Sequence, residues 1–265
     1  MAMQIAVQMF TLREHTKTAS DLAASLKRIS DMGYTAVQLS AVGAMNGDSP
    51  EVDAAEAARM LSDNGLACIA THRPWPRLRD AIDEEIEFHK ILGCDYTAIG
   101  GVPGKDYDAT LDGYRTFVAD AKPVIEKLKA AGIRFGHHNH SHEFFRPAGE
   151  KMCLEDVLID EAPADLMLEL DLYWIEHAGV SCETILKRVP GRVPVIHIKD
   201  KEVVEPNKNE TRMAPIGEGN LPWEQILPAC REAGVNWIAV EQDRCYRDPF
   251  DCLQSSHDYL RSMGL

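Results

Sequence analysis

The chain lacks long hydrophobic runs and any excess of positive charge. No apolar run approaches the roughly 20 residues that cross a bilayer, so no membrane helix is predicted. The net charge is −14, whereas binding a nucleic-acid backbone requires clustered Lys and Arg. We therefore expect neither a membrane nor a nucleic acid as partner. A local basic patch at Arg73, Arg77 and Arg79 could still bind one phosphate.

The cysteines form no recognisable framework. There are seven, an odd number, and they are scattered without a C-x-x-C pair. This pattern argues against a disulfide scaffold and a cysteine zinc site, and it favours a reducing cytoplasm. The beginning, MAMQIAVQMFTLR, has no basic start followed by a long apolar stretch. It therefore predicts a strand rather than a signal peptide.

A repeated pattern of helix, glycine and short apolar run extends along the chain. It occurs around Gly33, Gly65, Gly93, Gly132 and Gly234, at spacings of 32, 28, 39 and 102 residues. Glycine just past a helix end tolerates the left-handed backbone that stops the helix. The short runs that follow lack polar alternation, which is typical of strands buried on both faces. Each of the first three intervals has the length of one helix plus one strand, and the last has the length of about three such units.

The pattern predicts an α/β fold, a single (β/α)8 TIM barrel over residues 1–265. Its eight strands are expected near residues 4–10, 36–39, 66–71, 96–99, 133–138, 166–171, 193–198 and 237–241. An open doubly wound sheet is the alternative, but no G-x-G-x-x-G follows the first strand. Residues 200–221 are polar and aperiodic, which predicts a long loop after strand seven, either a lid or a flexible insertion.

Acidic residues and histidines stand at the carboxyl ends of several predicted strands. Asp171, His197 and Glu241 end strands six, seven and eight, and His140 and Glu143 follow strand five. Parallel strand ends of a barrel meet on one rim, which is where barrel enzymes build their sites. Three carboxylates and one imidazole suit Mn²⁺, Mg²⁺ or Co²⁺ and also accept Zn²⁺.

The same segments resemble the xylose isomerase-like barrel superfamily of sugar isomerases and epimerases, inosose dehydratases and endonuclease IV relatives. The matching stretches are LELDLYW at 168–174, VIHIKD at 195–200, IGEGNLPWEQIL at 216–227, IAVEQD at 238–243 and FGHHNHSHEF at 135–144. The resemblance covers essentially the whole chain but does not specify a substrate. It implies that Asp171, His197 and Glu241 bind a divalent metal, with Mn²⁺ favoured over Mg²⁺, Co²⁺ or Zn²⁺.

The fifth strand departs from the pattern of the better-known epimerases, which carry a glutamate there. Here the neighbourhood is histidine-rich, and the nearest carboxylate is Glu143. Either Glu143 reaches back as the fourth ligand or a histidine replaces it, and we predict Glu143. His138 and His140 share one face of the strand, so each is a candidate ligand, catalytic base or partner that orients a ligand.

Other residues near the rim are candidates for substrate contact or catalysis. Lys199 lies two residues beyond His197 and could stabilise an enolate, or form an ion pair with a neighbour such as Glu241. His72, Trp75 and Trp174 are candidate substrate contacts, with rim packing as the alternative for the tryptophans. Glu169 is expected deeper, as a paired core carboxylate.

The favoured function is a metal-dependent sugar or keto-sugar isomerase/epimerase. A base, Glu241 or a strand-five histidine, removes the proton next to a carbonyl and yields an enediolate. The alternative is a lyase or dehydratase acting on a 3-keto sugar glycoside or an inosose. A DNA-repair function is a further hypothesis, but the negative net charge argues against it. A barrel that binds a small ligand without catalysis is another, and it predicts no tightly bound metal. Relatives often form homo-oligomers, although no exposed apolar stripe in this sequence specifies one.

Overall fold

Eight parallel strands close into a barrel in the computed structural model, which describes residues 3–47 and 49–265. The barrel strands are β1 Gln4–Gln8, β2 Ala36–Leu39, β3 Ala67–His72, β4 Tyr96–Ile99, β5 Arg134–His138, β6 Leu166–Asp171, β7 Val195–Ile198 and β10 Trp237–Val240. Their order around the barrel is β1-β10-β7-β6-β5-β4-β3-β2. The predicted (β/α)8 architecture is thus confirmed.

Helices alternate with the strands and pack outside the barrel. Among the described residues, no helix combines the length and the apolar character that crossing a bilayer requires. The helices are α1 Ala19–Asp31, α2 Ala54–Asp63, α3 Trp75–Asp80, α4 Ile82–Leu92, α5 Leu111–Ala130, α6 Leu154–Asp156, α7 Leu172–His177, α8 Cys182–Leu186, α9 Trp223–Ala233 and α10 Pro249–Ser262. Short 3₁₀ helices span Met9–His15, Gly43–Met45 and His142–Phe144, and a π-helical turn spans Val157–Glu161.

The glycines that the sequence marked as helix stops have left-handed backbones. Gly33, Gly65, Gly93, Gly132 and Gly234 have φ between 65° and 97°, a region that costs other residues steric strain. Each lies between a helix and the strand that follows it. The glycine pattern therefore reports real ends of helices, which explains why it located the strands.

The first strand is shorter than predicted. It ends at Gln8 rather than at Phe10, because the 3₁₀ helix Met9–His15 begins there. The side chain of Gln8 accepts a hydrogen bond from the Phe10 amide at 3.0 Å and so caps this helix. The apolar run continues past Gln8, so it does not mark the point where the strand ends. The change of structure is set by the Gln8 side chain, which belongs to the strand and caps the helix.

The barrel interior contains an apolar cluster of mostly small side chains. Small side chains, Ala6, Ala36, Ala70, Ala98 and Ala239, line it together with Tyr96 and Val195. The Tyr96 hydroxyl group reaches Gly136 of β5, where a Cβ would lie 2.1 Å from the hydroxyl oxygen, so a larger residue at 136 would clash with it. The larger hydrophobic core lies between strands and helices. Polar groups are thus concentrated towards the carboxyl ends of the strands.

The region 200–221, predicted to be a loop, contains an antiparallel hairpin. Strands β8 Asp200–Val203 and β9 Thr211–Ala214 pair outside the barrel. Asp200 is fully buried and accepts hydrogen bonds from the amides of Gly217, Gly219 and Leu221 and from Trp223 Nε1. The expectation of an unstructured loop is corrected: one buried carboxylate ties the base of this segment to the barrel end.

Candidate active site

Three of the predicted ligands converge at the carboxyl ends of neighbouring strands. Asp171 ends β6 and pairs in register with His197 of β7, and Glu241 directly follows β10. Asp171 and His197 are fully buried, and Glu241 is 6% exposed. One ligand atom from each lies within 4.8 Å of the others. Two carboxylates and an imidazole are therefore held together in a nearly dry site.

Lys199 is the counter-charge of the two carboxylates. Its ammonium group donates to Asp171 Oδ2 at 2.5 Å and to Glu241 Oε2, and lies 3.5 Å from Asp243 Oδ2. Burial lowers the pKa of Lys199, but the carboxylates outweigh it and raise the pKa above its usual value. Burial alone would raise the pKa of Glu241, but Lys199 and His197 hold it well below its usual range. Glu241 thus stays ionised beside the ammonium group, whereas burial raises the pKa of Asp171 although Lys199 opposes this shift.

His197 joins the carboxylate pair to a deeper polar layer. Its Nδ1 is 3.2 Å from Glu241 Oε2, and its Nε2 is 2.8 Å from Gln38 Oε1 and 3.3 Å from Glu169 Oε2. Burial lowers the pKa of His197, but Glu169 and Glu241 raise it to about 10. In the metal-free protein, this imidazole therefore carries a positive charge at neutral pH.

Glu169 is the centre of the deeper layer. As expected it is buried and paired, but its partners belong to the site: His72 Nε2, Gln38 Nε2 at 2.9 Å and His138 Nδ1 at 3.5 Å. One ligand atom each from His72, His138, Glu169 and His197 forms a second group within 4.8 Å. This second group of potential ligands was not predicted from the sequence. The only sign of it there is Glu169, a charged residue within the apolar strand LMLELD.

The fifth strand turns His138 towards the centre, not Glu143. His138 Nε2 lies 3.8 Å from Asp171 Oδ2, and the rings of His138 and His197 are 4.5 Å apart. Glu143 instead accepts from the His140 amide at 2.8 Å and lies 3.0 Å from His142 Nε2. The 3₁₀ turn His142–Phe144 folds this carboxylate back onto its own loop. Its assignment as the fourth ligand stays a prediction that this geometry does not favour.

His140 faces the mouth of the barrel beside aromatic neighbours. Its ring lies 4.9 Å from that of His138 and 5.9 Å from that of Trp174. Its Nδ1 is buried without a hydrogen-bond partner. Burial lowers the pKa of His140, so the imidazole is neutral near pH 7. A neutral imidazole with a free nitrogen has the chemistry of a proton acceptor.

The remaining candidates fall into different environments. Trp174 is half-buried next to His140, and its amide donates to Asp171 Oδ1 at 3.1 Å. His72 is partly exposed and contacts Glu169. Trp75 is 2% exposed, packs on Phe117 in the core, and bonds Tyr107 through its indole nitrogen. The structure thus places Trp174 and His72 at the mouth but Trp75 in the core, because α3 folds its first residue inward.

The residues present fit a divalent metal. Two carboxylates share one ammonium group, so a cation already lies between them. His138 Nδ1 is buried 3.5 Å from Glu169 Oε2 without making a hydrogen bond, although such nitrogens usually have a partner. Imidazoles and carboxylates together suit Mn²⁺, Co²⁺ and Zn²⁺.

A model of the family described as xylose isomerase-like TIM barrel matches residues 26–263. The chain belongs to this family. A sugar phosphate isomerase/epimerase from Parabacteroides distasonis is 22% identical, covers 99% of this chain and 97% of its own, and superposes with a TM-score of 0.82. The chain matches no curated protein.

Two further structures are similar in fold. An L-ribulose 3-epimerase is 16% identical over 98% of this chain and 94% of its own, with a TM-score of 0.73. The IOLI protein, whose structure contains a zinc atom, is 16% identical over 98% of this chain and 97% of its own, with a TM-score of 0.70. At these identities the likeness establishes the shared barrel.

Proposed function

We propose that this member of the family is a divalent-metal-dependent sugar or keto-sugar isomerase/epimerase. The observation that carries the proposal is the convergence of Asp171, His197 and Glu241 around the buried ammonium group of Lys199. Burying three charged groups and a lysine costs stability, so such a cluster is a candidate for function. The names of the similar structures, an isomerase/epimerase and an L-ribulose 3-epimerase, agree with this reaction class.

The proposed metal ligands are Asp171, His197, Glu241 and His138. His138 replaces Glu143 in this set, because it lies 3.8 Å from Asp171 whereas Glu143 is held by His140 and His142. We favour Mn²⁺, and the zinc atom of the similar IOLI structure supports a divalent ion in general. When bound, the metal supplies Lewis-acid polarisation of a substrate carbonyl.

The proposed proton transfer uses two groups on different sides of the mouth. His140 follows β5 and Glu241 follows β10, three strands apart around the barrel. One group removes the proton next to the carbonyl, and the electron pair moves into an enediolate. The other returns a proton to the opposite face or to the adjacent carbon, which gives epimerisation or isomerisation. Lys199 donates a hydrogen bond to the developing oxygen anion, and His72 and Trp174 hold the sugar.

A lyase is the second candidate, and the fifth strand is the observation that favours it. No glutamate from β5 faces Asp171, so a relay between two carboxylates has no second member here. The first step is the same proton removal. The enediolate then expels a β-oxygen, and His140, protonated by the first step, gives its proton to the departing oxygen. This candidate predicts an unsaturated product instead of an isomer.

The proposal is tested by solvent deuterium uptake into a panel of ketoses and 3-keto sugars, with metal content measured in parallel. We expect Mn²⁺-loaded protein to catalyse exchange and chelation to abolish it. Glu241→Gln and His140→Gln should each slow exchange by about 10²–10⁴, and His257→Gln, on the far side of the barrel, should not. Unchanged exchange after chelation, or in both site variants, would contradict the proposal.

The partner and location follow from the same proposal. We infer a small carbohydrate substrate, since the polar groups converge on a barrel mouth rather than on a broad charged surface. We also infer a cytoplasmic location, because all seven cysteines are free thiols and six are buried. Disulfides would be expected to form among surface-accessible cysteines in an oxidising compartment.

A further inference from the structure

A cleft of about 820 Å³ opens beside the candidate active site. Pockets that hold drug-sized ligands range from about 300 to 1,000 Å³, so one sugar ring would leave much of this cleft empty. The ends of three barrel strands form its floor, at Ser40, His72 and Gly100. Its outer wall includes Met45, Asn46, Arg73, Pro74 and Phe88.

His72 lies between the cleft and the candidate active site. One nitrogen of this imidazole contacts the buried carboxylate of Glu169, and the other lies 3.5 Å from the Ser40 hydroxyl. Gly100 borders the same ring, since a Cβ there would stand 3.8 Å from His72 Nδ1. A molecule that reacts over Asp171 and Glu241 can therefore extend past a single imidazole into the cleft.

The charges around the cleft are already balanced. Glu85 is fully buried and accepts from Arg73 at 2.5 and 2.8 Å and from Arg77 at 3.0 Å. Arg77 also donates to Glu84 at 2.9 Å, and Asp53 adds a further negative charge to the lining. A phosphate at this basic patch would therefore compete with the carboxylates of Glu84 and Glu85, which already offset the charges of Arg73 and Arg77.

The backbone is strained at the edge of the cleft. Ala41, directly after β2, has a φ of +52° although it is not glycine. Such a backbone costs on the order of 1–3 kcal/mol and is concentrated at functional sites. Ala41 lines the cleft next to Ser40. Apolar side chains such as Met45 and Phe88 stand beside polar ones, a mixture that matches the C–H faces and hydroxyls of a sugar.

We propose that this cleft binds a second, uncharged sugar ring, so that the substrate is an unphosphorylated glycoside of at least two rings. The reacting ring lies over the metal ligands, and the attached ring passes His72 and occupies the cleft. This inference rests on the proposed function, because it assumes a carbohydrate at the mouth. Beyond the proposed function, it specifies that the substrate has at least two rings and no charge.

The test is calorimetric binding to the Mn²⁺-loaded protein. The ligands are maltose, cellobiose, sucrose and trehalose, with glucose, fructose and glucose 6-phosphate for comparison. We expect at least one disaccharide to bind at least tenfold more tightly than its monosaccharides, and glucose 6-phosphate to bind no more tightly than glucose. Asn46→Trp, which fills the cleft, should abolish the preference for the disaccharide. The control Glu232→Trp, exposed at the end of α9, should retain it.

Three results would overturn the inference. Equal binding of all disaccharides and their monosaccharides would exclude a second-ring site, while deuterium exchange in a ketose would leave the proposed function standing. Tighter binding of glucose 6-phosphate than of glucose would assign the cleft to a phosphate. If no sugar binds and no ketose exchanges, the proposed function fails together with the inference. Metal content and melting temperature establish that Asn46→Trp is folded.

Discussion

Two buried charge clusters among the residues that the structure describes differ in how well their members are paired. In the first, the single carboxylate of Glu85 accepts three hydrogen bonds from Arg73 and Arg77. In the second, at the barrel mouth, Asp171 and Glu241 share the ammonium group of Lys199. The mouth also contains imidazole nitrogens without hydrogen-bond partners, whereas both Glu85 oxygens are bonded.

The difference separates a structural ion pair from a candidate binding site. A buried carboxylate with two guanidinium partners has most of its hydrogen-bonding capacity in use. It therefore holds the loop after β3 against α4 and has little capacity left for a ligand. Carboxylates that share one lysine retain lone pairs, and the imidazoles of His138 and His140 retain nitrogens without hydrogen-bond partners. The mouth is therefore arranged to gain from binding a cation, and the predictions below test that distinction.

The largest effect is expected for Lys199→Met in metal-free protein. Removing this ammonium leaves Asp171 and Glu241 buried without their shared counter-charge, which typically costs about 3–5 kcal/mol. Mn²⁺ should restore the stability, because an ion that binds only the folded state stabilises it. Melting temperatures with and without Mn²⁺ measure both. An equal Mn²⁺-induced rise in the wild type and the variant would contradict the idea that lysine and metal serve the same carboxylates.

Lys201→Met is the matched control for that variant. Lys201 lies two residues further along and is partly exposed, with one contact to the Glu176 carbonyl oxygen at 3.3 Å. We expect its replacement to change the free energy of unfolding by no more than about 0.5 kcal/mol.

A somewhat smaller loss is expected for Glu85→Gln. The change removes the charge that two arginines share, but Arg73 and Arg77 are 23% and 47% exposed and regain some hydration. We therefore expect a loss near the lower end of the range for buried pairs, about 3 kcal/mol, by urea unfolding. Metal content should not change. The exposed partner Glu84→Gln should cost less than about 1 kcal/mol, and an equal loss in both variants would refute the structural role of Glu85.

The smallest effects are expected in the pH dependence of stability. Lowering the pH should destabilise the region around Glu85, whereas raising the pH should destabilise the barrel mouth. Burial lowers the pKa of His89, which lies beside Glu85 and contacts its carbonyl oxygen at 2.6 Å. Its folded pKa is below the unfolded value of about 6.5, so stability falls as the pH drops below that value. In metal-free protein, burial lowers the pKa of His197, but Glu169 and Glu241 raise it to about 10. Its contribution is complete below about pH 6.5 and disappears as the pH rises through 10.

Melting temperatures of metal-free protein from pH 5 to 10 measure these slopes. His89→Gln should flatten the decline on the acid side, and His197→Gln the decline on the alkaline side. Either variant with an unchanged slope would show that its histidine does not titrate as inferred.

Much of the fold follows from short-range regularities. Helix-ending glycines and apolar runs located the barrel strands, because backbone strain at Gly33 or Gly93 is a local property. Asp171, His197 and Glu241 could be grouped in advance, since parallel strand ends in a barrel share one rim. Strand alternation likewise predicted that His138 and His140 share a face.

Local patterns were least informative where a side chain's direction depends on a distant partner or a short turn. Glu143 follows β5 closely, yet the 3₁₀ turn aims it at His140 and His142. Trp75 follows β3, yet α3 packs it against Phe117. The long segment at 200–221 has no period, but Asp200 organises its end through four hydrogen bonds across 23 residues.

The amino-acid sequence by itself determined the barrel, the family resemblance and the rim on which the ligands meet, because these depend on periodicity and local backbone preference. Only the tertiary structure decided which side chains touch. Closure of the barrel brings Gln38 of β2 against Glu169 of β6 and His197 of β7. The pairing of Arg73 with Glu85, and with it the charge balance of the cleft, depends on how α4 packs beside β3. Contacts between residues far apart in the chain are set by packing, which no local pattern encodes.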